Sequence, residues 1–219
     1  AAVLCATAAL RAGAGLVTLA VGSSLRGIME AKLTEAMVRI LPELGSGAIG
    51  LKAVPYIEEL AARWDVLAIG PGMGQQPETQ AAIREIIKNT DKPLVIDADG
   101  INALAGHLDV LQQTEALAVL TPHPGELSRL TGLSTVQINQ DRLGTARRTA
   151  QQVNSIIVLK GAPTVIAFPD GDCWVNTTGN AGMATGGTGD VLTGVIAALI
   201  AQGLSSHDAA LVGVYLHGL

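Results

Sequence analysis

The chain has 219 residues, a formal net charge of −5 and a pI near 5.3, and its Lys and Arg residues form no cluster. Apolar residues make up 48%, charged residues 15% and aromatics 2%, so the chain is too apolar for disorder and builds its core from Ala, Val, Ile and Leu. The acidic balance and the lack of stacking rings argue against a nucleic-acid partner, and the longest apolar run, 191–204, is shorter than the ~20 residues of a membrane span.

Cys5 and Cys173 have neither disulfide-framework nor zinc spacing, and no basic segment with a cleavage site opens the chain. This is cytoplasmic usage. Ala1 already reads as helix, and "LVTLAV" (16–21) as the first strand. Helices are predicted over 53–63, 77–89, 100–107 and 137–153. Strands are predicted at "DVLAIG" (65–70), "PLVIDA" (93–98), "ALAVLT" (116–121) and "SIIVLK" (155–160). These strands are apolar on both faces, as in a parallel sheet covered by helices. The alternation predicts an α/β doubly wound fold.

After Lys160 the rhythm changes. "TVIAF", "PDGD" and "CWVN" predict a small antiparallel hairpin near 164–176. A glycine segment follows, then a helix over 189–203 and a last helix starting near 207, with Ser205 and Ser206 as N-caps. No repeat or linker interrupts the chain, so a single domain over 1–219 is expected.

In open α/β sheets, ligands bind beyond the carboxyl ends of the strands. The glycine-rich and polar residues fall there: "GPGMG" after 65–70, "DADGIN" after 93–96, "TPHPGE" after 116–120 and "KGAPT" after 155–159. In "TGGTGD" (185–190), consecutive glycines let backbone N–H groups share one concavity, and the following helix adds its positive end. This makes an anion site without a basic side chain, with Asp190 placed to take a proton from a hydroxyl. From spacing alone, a glycine turn with Asp190 as a cap explains the segment equally well. It is neither a Walker A loop nor a Rossmann fingerprint.

Lys160 ends a strand, and the turn at Gly161 and Pro163 exposes N–H groups that suit a nucleotide phosphate or ribose, or simply a connection. His123 and Glu126 are three apart in a loop made rigid by two prolines. Glu126 suits a magnesium ion held through water or a helix N-terminal charge. Asp97, Asp99 and Asn102 suit metal or hydroxyl contacts, with Asp99 also a helix N-cap. "AGAG" (12–15) and "GPGMG" (70–74) are turns that a ligand can approach closely. His107, His207 and His217 lack partner spacing and read as structural.

Taken in order, "GPGMG", "VIDADGIN", "LTPHPGE", "VLKGAPT" and "NAGMATGGTGDVLTG" resemble the ADP/ATP-dependent NAD(P)H-hydrate dehydratase family of the ribokinase-like superfamily, over nearly the whole chain. The resemblance implies a ribokinase-like fold and a repair reaction that returns hydrated NADH or NADPH to the reduced dinucleotide, consuming ADP or ATP. It implies Asp190 as catalytic base and Ala14, Gly72, His123 and Asp190 as contacts to the hydrated dinucleotide. Lys160, Gly161, Ala162, Pro163 and Thr164, with Gly187, Thr188 and Gly189, are implied to hold the nucleotide. Glu126 is implied as the magnesium-organising residue, with Mg2+ as cofactor. The family also implies a homo-oligomer, a tetramer, and in bacteria frequent fusion behind an epimerase domain. Members usually open with a strand and glycine-rich loop before "AALRAGAGLV", so the first strand and the end of the last helix are expected to be missing from this chain. A vitamin-precursor kinase of the same superfamily explains "GTGD" but not "HPGE" with "KGAPT". A non-catalytic adenine-nucleotide-binding module is the third reading, and would not need Asp190.

Overall fold

The computed structural model describes residues 1–45, 47–114 and 117–219. Helix α1 (Ala2–Arg11) leads to β1 (Thr18–Gly22), α2 (Arg26–Lys32) and β2 (Met37–Leu41). Next come α3 (Val54–Ala61), β3 (Leu67–Ile69), α4 (Pro77–Asn89), β4 (Leu94–Ile96), α5 (Asp99–Ala103) and α6 (Asp109–Gln113). Then follow β5 (Ala118–Leu120), α7 (Pro124–Thr131), α8 (Thr135–Gln140), α9 (Arg142–Val153) and β6 (Ile156–Leu159). The hairpin β7 (Val165–Ala167) and β8 (Cys173–Val175) precedes α10 (Thr188–Ala201) and α11 (Ser206–Gly218).

The main sheet has the order β3-β4-β5-β6-β7-β8. Strands β3 to β6 pair in parallel, and β6, β7 and β8 pair antiparallel. Period-two alternation explains why these strands are apolar throughout. Leu94, Ile96, Leu120, Ile157 and Leu159 face one core with α3, α4 and α9. Val95, Val119, Ile156, Val158 and Ile166 face the other, with α10 and α11. The α/β fold with a mostly parallel sheet and helices on both faces is therefore as expected. The hairpin is also as expected, although it extends the main sheet.

Three expectations need correction, and one strand was not predicted. The strand at 16–21 does not join the main sheet. It forms β1, which pairs in parallel with β2 in a separate two-stranded sheet. Strand β2 went unpredicted because its sequence, with Arg39 and two further exposed residues, lacks a buried strand's apolar run. A slot of about 730 Å³ lies between β1 and β3, lined by Leu19, Val21, Leu67 and Ile69 and floored by Ala9 and Ala198. The helix predicted over 137–153 breaks at Asp141, whose carboxylate caps α9 by accepting from Gly144 N at 2.9 Å. The helix predicted over 100–107 ends at Ala103, and Gly106 takes a positive φ of 77°. In the predicted strand 116–121, Ala116 lies outside the described residues.

Helices α1 and α10 run side by side in the same direction. The Cys5 carbonyl touches the Cα side of Gly194, and Gln202 Nε2 donates to Ala12 O at 2.8 Å. No helix among the described residues is long and apolar enough to cross a membrane. The cap predicted at Ser205 is present: its hydroxyl accepts from Asp208 N at 3.0 Å.

Candidate functional site

Strand β4 ends in a tight turn, closed by Gly100 N donating to Asp97 O at 2.9 Å. Ala98 occupies φ 50°, ψ −117°, a conformation that a Cβ disfavours. Gly70 packs so closely on the Asp97 carbonyl that a side chain there has no room. This turn aims Asp97 inward and Asp99 outward. Asp99 does not cap α5, as was expected. It reaches across to accept from Gly74 N at 2.8 Å, tying down the "GPGMG" loop.

Asp97 is 1% exposed. Lys160 Nζ donates to its Oδ1 at 2.7 Å, and Thr193 Oγ1 donates to its Oδ2 at 2.9 Å. Lys160 Nζ also lies 3.7 Å from Glu126 Oε2. Lys160 itself is placed by its N–H, which donates to Pro122 O at 2.8 Å. The ends of β4, β5 and β6 thus meet around one ammonium, as the strand-end reasoning anticipated.

Glu126 lies in the first turn of α7. His123 N donates to its Oε2 at 2.8 Å, and His123 Nε2 lies 3.4 Å from its Oε1. His123 Nδ1 in turn accepts from Gly125 N and Glu126 N, which completes a capping box. The place a cation would take between Asp97 and Glu126 is filled by the Lys160 ammonium. Both Glu126 oxygens are engaged, and among the described residues no group of three or more His, Cys, Asp and Glu side chains converges. The donors present therefore form no direct cation cage; the contact expected of Glu126 was one through water.

Helix α10 begins at Gly187, which has φ 93°, and no side chain caps it. Thr188 N donates to Thr185 O at 3.4 Å, and the N–H groups that follow it in the first turn suit an anion. Asp190 lies in this first turn, and Gly186 faces open space. Lys160 Nζ sits 3.1 Å from where a Cβ on Gly189 would lie. The turn 160–164 is stapled by Arg142, whose Nη2 donates to Leu159 O, Lys160 O and Pro163 O at 3.1, 3.0 and 3.1 Å. Arg142 was missed in the sequence. The available signal was a cation at the first position of a helix, where the dipole disfavours it.

On the opposite side, Gly72 packs against Ala1 Cβ, and the Ala1 nitrogen is 3.6 Å from Asp190 Oδ2. Ala14 is not part of this group. It follows the far end of α1, near Gln202, on the order of 20 Å from Asp190 along α10 at ~1.5 Å per residue. The alanine beside Gly72 and Asp190 is Ala1. Burial, then the charges of Asp190 and Asp97, push the Cys5 thiol up to about 12. His217 reaches the Thr188 backbone from α11, and burial lowers its pKa. His207 instead stacks on Phe168 with ring centroids 4.0 Å apart.

A family model described as NAD(P)H-hydrate dehydratase matches residues 1–219. A bifunctional NAD(P)H-hydrate repair enzyme Nnr from Moorella thermoacetica is 50% identical over 215 residues, covering 98% of this chain and 41% of that protein. The chain thus spans about two fifths of the length of such bifunctional relatives. The ADP-dependent (S)-NAD(P)H-hydrate dehydratase of Bacillus subtilis is 39% identical over 211 residues, covering 96% of this chain and 74% of that protein. A crystal structure of ADP/ATP-dependent NAD(P)H-hydrate dehydratase from Bacillus subtilis, co-crystallized with ATP/Mg2+, superposes with a TM-score of 0.81. Its identity is 35%, and the match covers 99% of this chain and 73% of that one.

Proposed function

The chain belongs to the NAD(P)H-hydrate dehydratase family, and we propose that its site dehydrates hydrated NADH or NADPH at the expense of ADP. The observation that carries this reading is one juxtaposition. Asp190 stands in the uncapped first turn of α10, the same turn whose Gly189 the Lys160 ammonium approaches, with open space over Gly186. A base, a cation and a helix N-terminus share one end of the sheet.

Hydroxide is a poor leaving group and phosphate a good one. Asp190 takes the proton of the ring hydroxyl as that oxygen attacks the terminal phosphorus of ADP. The bridging P–O bond breaks and AMP leaves. The Gly189 N–H at the start of α10 and the Lys160 ammonium stabilise charge on the transferring phosphoryl. The ring-nitrogen lone pair then expels phosphate from the ring carbon. Loss of the neighbouring ring proton restores the double bond. The balance is hydrated NADH plus ADP giving NADH, AMP and phosphate.

In this reading the turn Lys160, Gly161, Ala162, Pro163 and Thr164 holds the nucleotide, while Gly72, His123 and Ala1 line the dinucleotide side. Ala1 takes the place expected for Ala14 because it is the alanine that touches Gly72. A Mg2+ ion arriving with the nucleotide would supply charge neutralisation to its phosphates. The test is product stoichiometry. One AMP and one phosphate per reduced dinucleotide recovered supports the reading. A stable phosphorylated product marks a kinase instead.

A further inference from the structure

We propose that Asp97 is a positioning residue for this site, fixing the Lys160 ammonium and, through Thr193, the first turn of α10. The proposal rests on the dehydratase reading given above. Asp97 joins elements far apart in the chain, being 63 positions from Lys160 and 96 from Thr193. Its two oxygens divide the work. Oδ1 receives the ammonium and Oδ2 receives the Thr193 hydroxyl, which also lies 3.1 Å from Gly189 O. One carboxylate thereby sets both the cation and the turn that carries Asp190.

Two further observations single out Asp97. A carboxylate this buried costs free energy unless it is paired, and a buried pair is weak grounds for stability alone. The backbone around it is also held in an unfavourable form. Ala98 takes a conformation suited to glycine, and Gly70 gives up any side chain to admit the Asp97 carbonyl. Strain of this kind persists where the surrounding structure over-determines it, and it clusters at functional sites.

Lys160 has three N–H donors. Asp97 takes one at 2.7 Å, Glu126 is the more distant neighbour at 3.7 Å, and the side chain remains 20% exposed. A donor is left toward Gly189 and the open side. Without Asp97 the ammonium's remaining carboxylate neighbour among the described residues is the more distant Glu126, and it is free to swing out of line.

The experiment is a double-mutant cycle with Asp97→Asn and Lys160→Met, reading kcat and both KM values. Asp97→Asn is expected to lower kcat about 100-fold and leave the KM for hydrated dinucleotide within about twofold, the pattern of a lost transition-state contact. Asp97→Asn in the Lys160→Met background is expected to cost clearly less than in the unaltered chain, the remainder being the Thr193 tether of α10. Losses that multiply in the double variant, or an Asp97→Asn enzyme with full kcat, overturn the proposal. Amide exchange over 189–191 is the arm that needs no turnover. Asp97→Asn and Thr193→Val are each expected to speed it about tenfold or more, and unchanged exchange in both overturns the proposal. A wild-type chain that dehydrates nothing ends the dehydratase reading, while the exchange arm still decides for or against Asp97 as the tether of α10.

Discussion

Arg142 Nη2 donates to Pro163 O at 3.1 Å and to Lys160 O at 3.0 Å, closing the turn 160–164. Three carbonyls of one turn thus depend on a single guanidinium. A lysine has a point charge and no fork, so it does not replace these contacts. Arg142→Lys is expected to raise the KM for ADP about tenfold, matching the ~1.5–3 kcal/mol typical of charged hydrogen bonds, with kcat at saturation nearly kept. Steady-state kinetics at varied ADP checks this.

Gly194 sets how closely α1 approaches α10, since the Cys5 carbonyl occupies the space a methyl group would need. Gly194→Ala forces the helices apart and is expected to cost about 2 kcal/mol or more. Gly27 in α2 has nothing within 4 Å of an added Cβ. Gly27→Ala is expected to be stabilising by about 0.5–1 kcal/mol. Denaturant midpoints of the two variants should therefore move in opposite directions.

Ala98 at φ 50°, ψ −117° carries backbone strain that glycine would not. Strain of this kind is worth about 1–3 kcal/mol, of which the freer unfolded chain of a glycine variant takes back about 0.5–1. Ala98→Gly is expected to stabilise by about 1 kcal/mol. Thermal unfolding with a lowered midpoint would count against the strained turn.

The Cys5 thiol is raised to about 12, by burial first and then by Asp190 and Asp97. Its folded pKa lies above its unfolded value of 9.0. The stability it contributes is therefore fully present below pH 9 and is lost as pH rises from 9 toward 12. Iodoacetamide should not alkylate native Cys5 at pH 8. Asp190→Asn removes one of the raising charges, so the labelling profile should move to lower pH. An unchanged profile places Asp190 away from α1.

Strands β3 to β6 were legible because each is apolar on both faces and leads into a turn containing glycine or proline. Strand β2 was not, because Arg39 and its exposed neighbours give no apolar run. Asp190 and Lys160 could be picked from local pattern, as each sits at the end of a regular element. Ala14 could not be placed correctly, since "AGAG" looks like a ligand turn and only the packing of α1 on α10 shows which end meets Asp190. Asp99 read as a cap because its partner, Gly74, lies 25 positions away. Arg142 and Asp97 were hard to assign for the same reason. Their partners are distant in sequence, and only the closed sheet brings them together.

The most direct test of the account is the recovery of near-UV absorbance of reduced nicotinamide from hydrated NADH and ADP, for the chain and for Asp190→Asn. The account predicts recovery with the chain and none with the variant, both remaining folded by circular dichroism. Near-normal recovery with Asp190→Asn, or no recovery with the unaltered chain given either ADP or ATP, would contradict it.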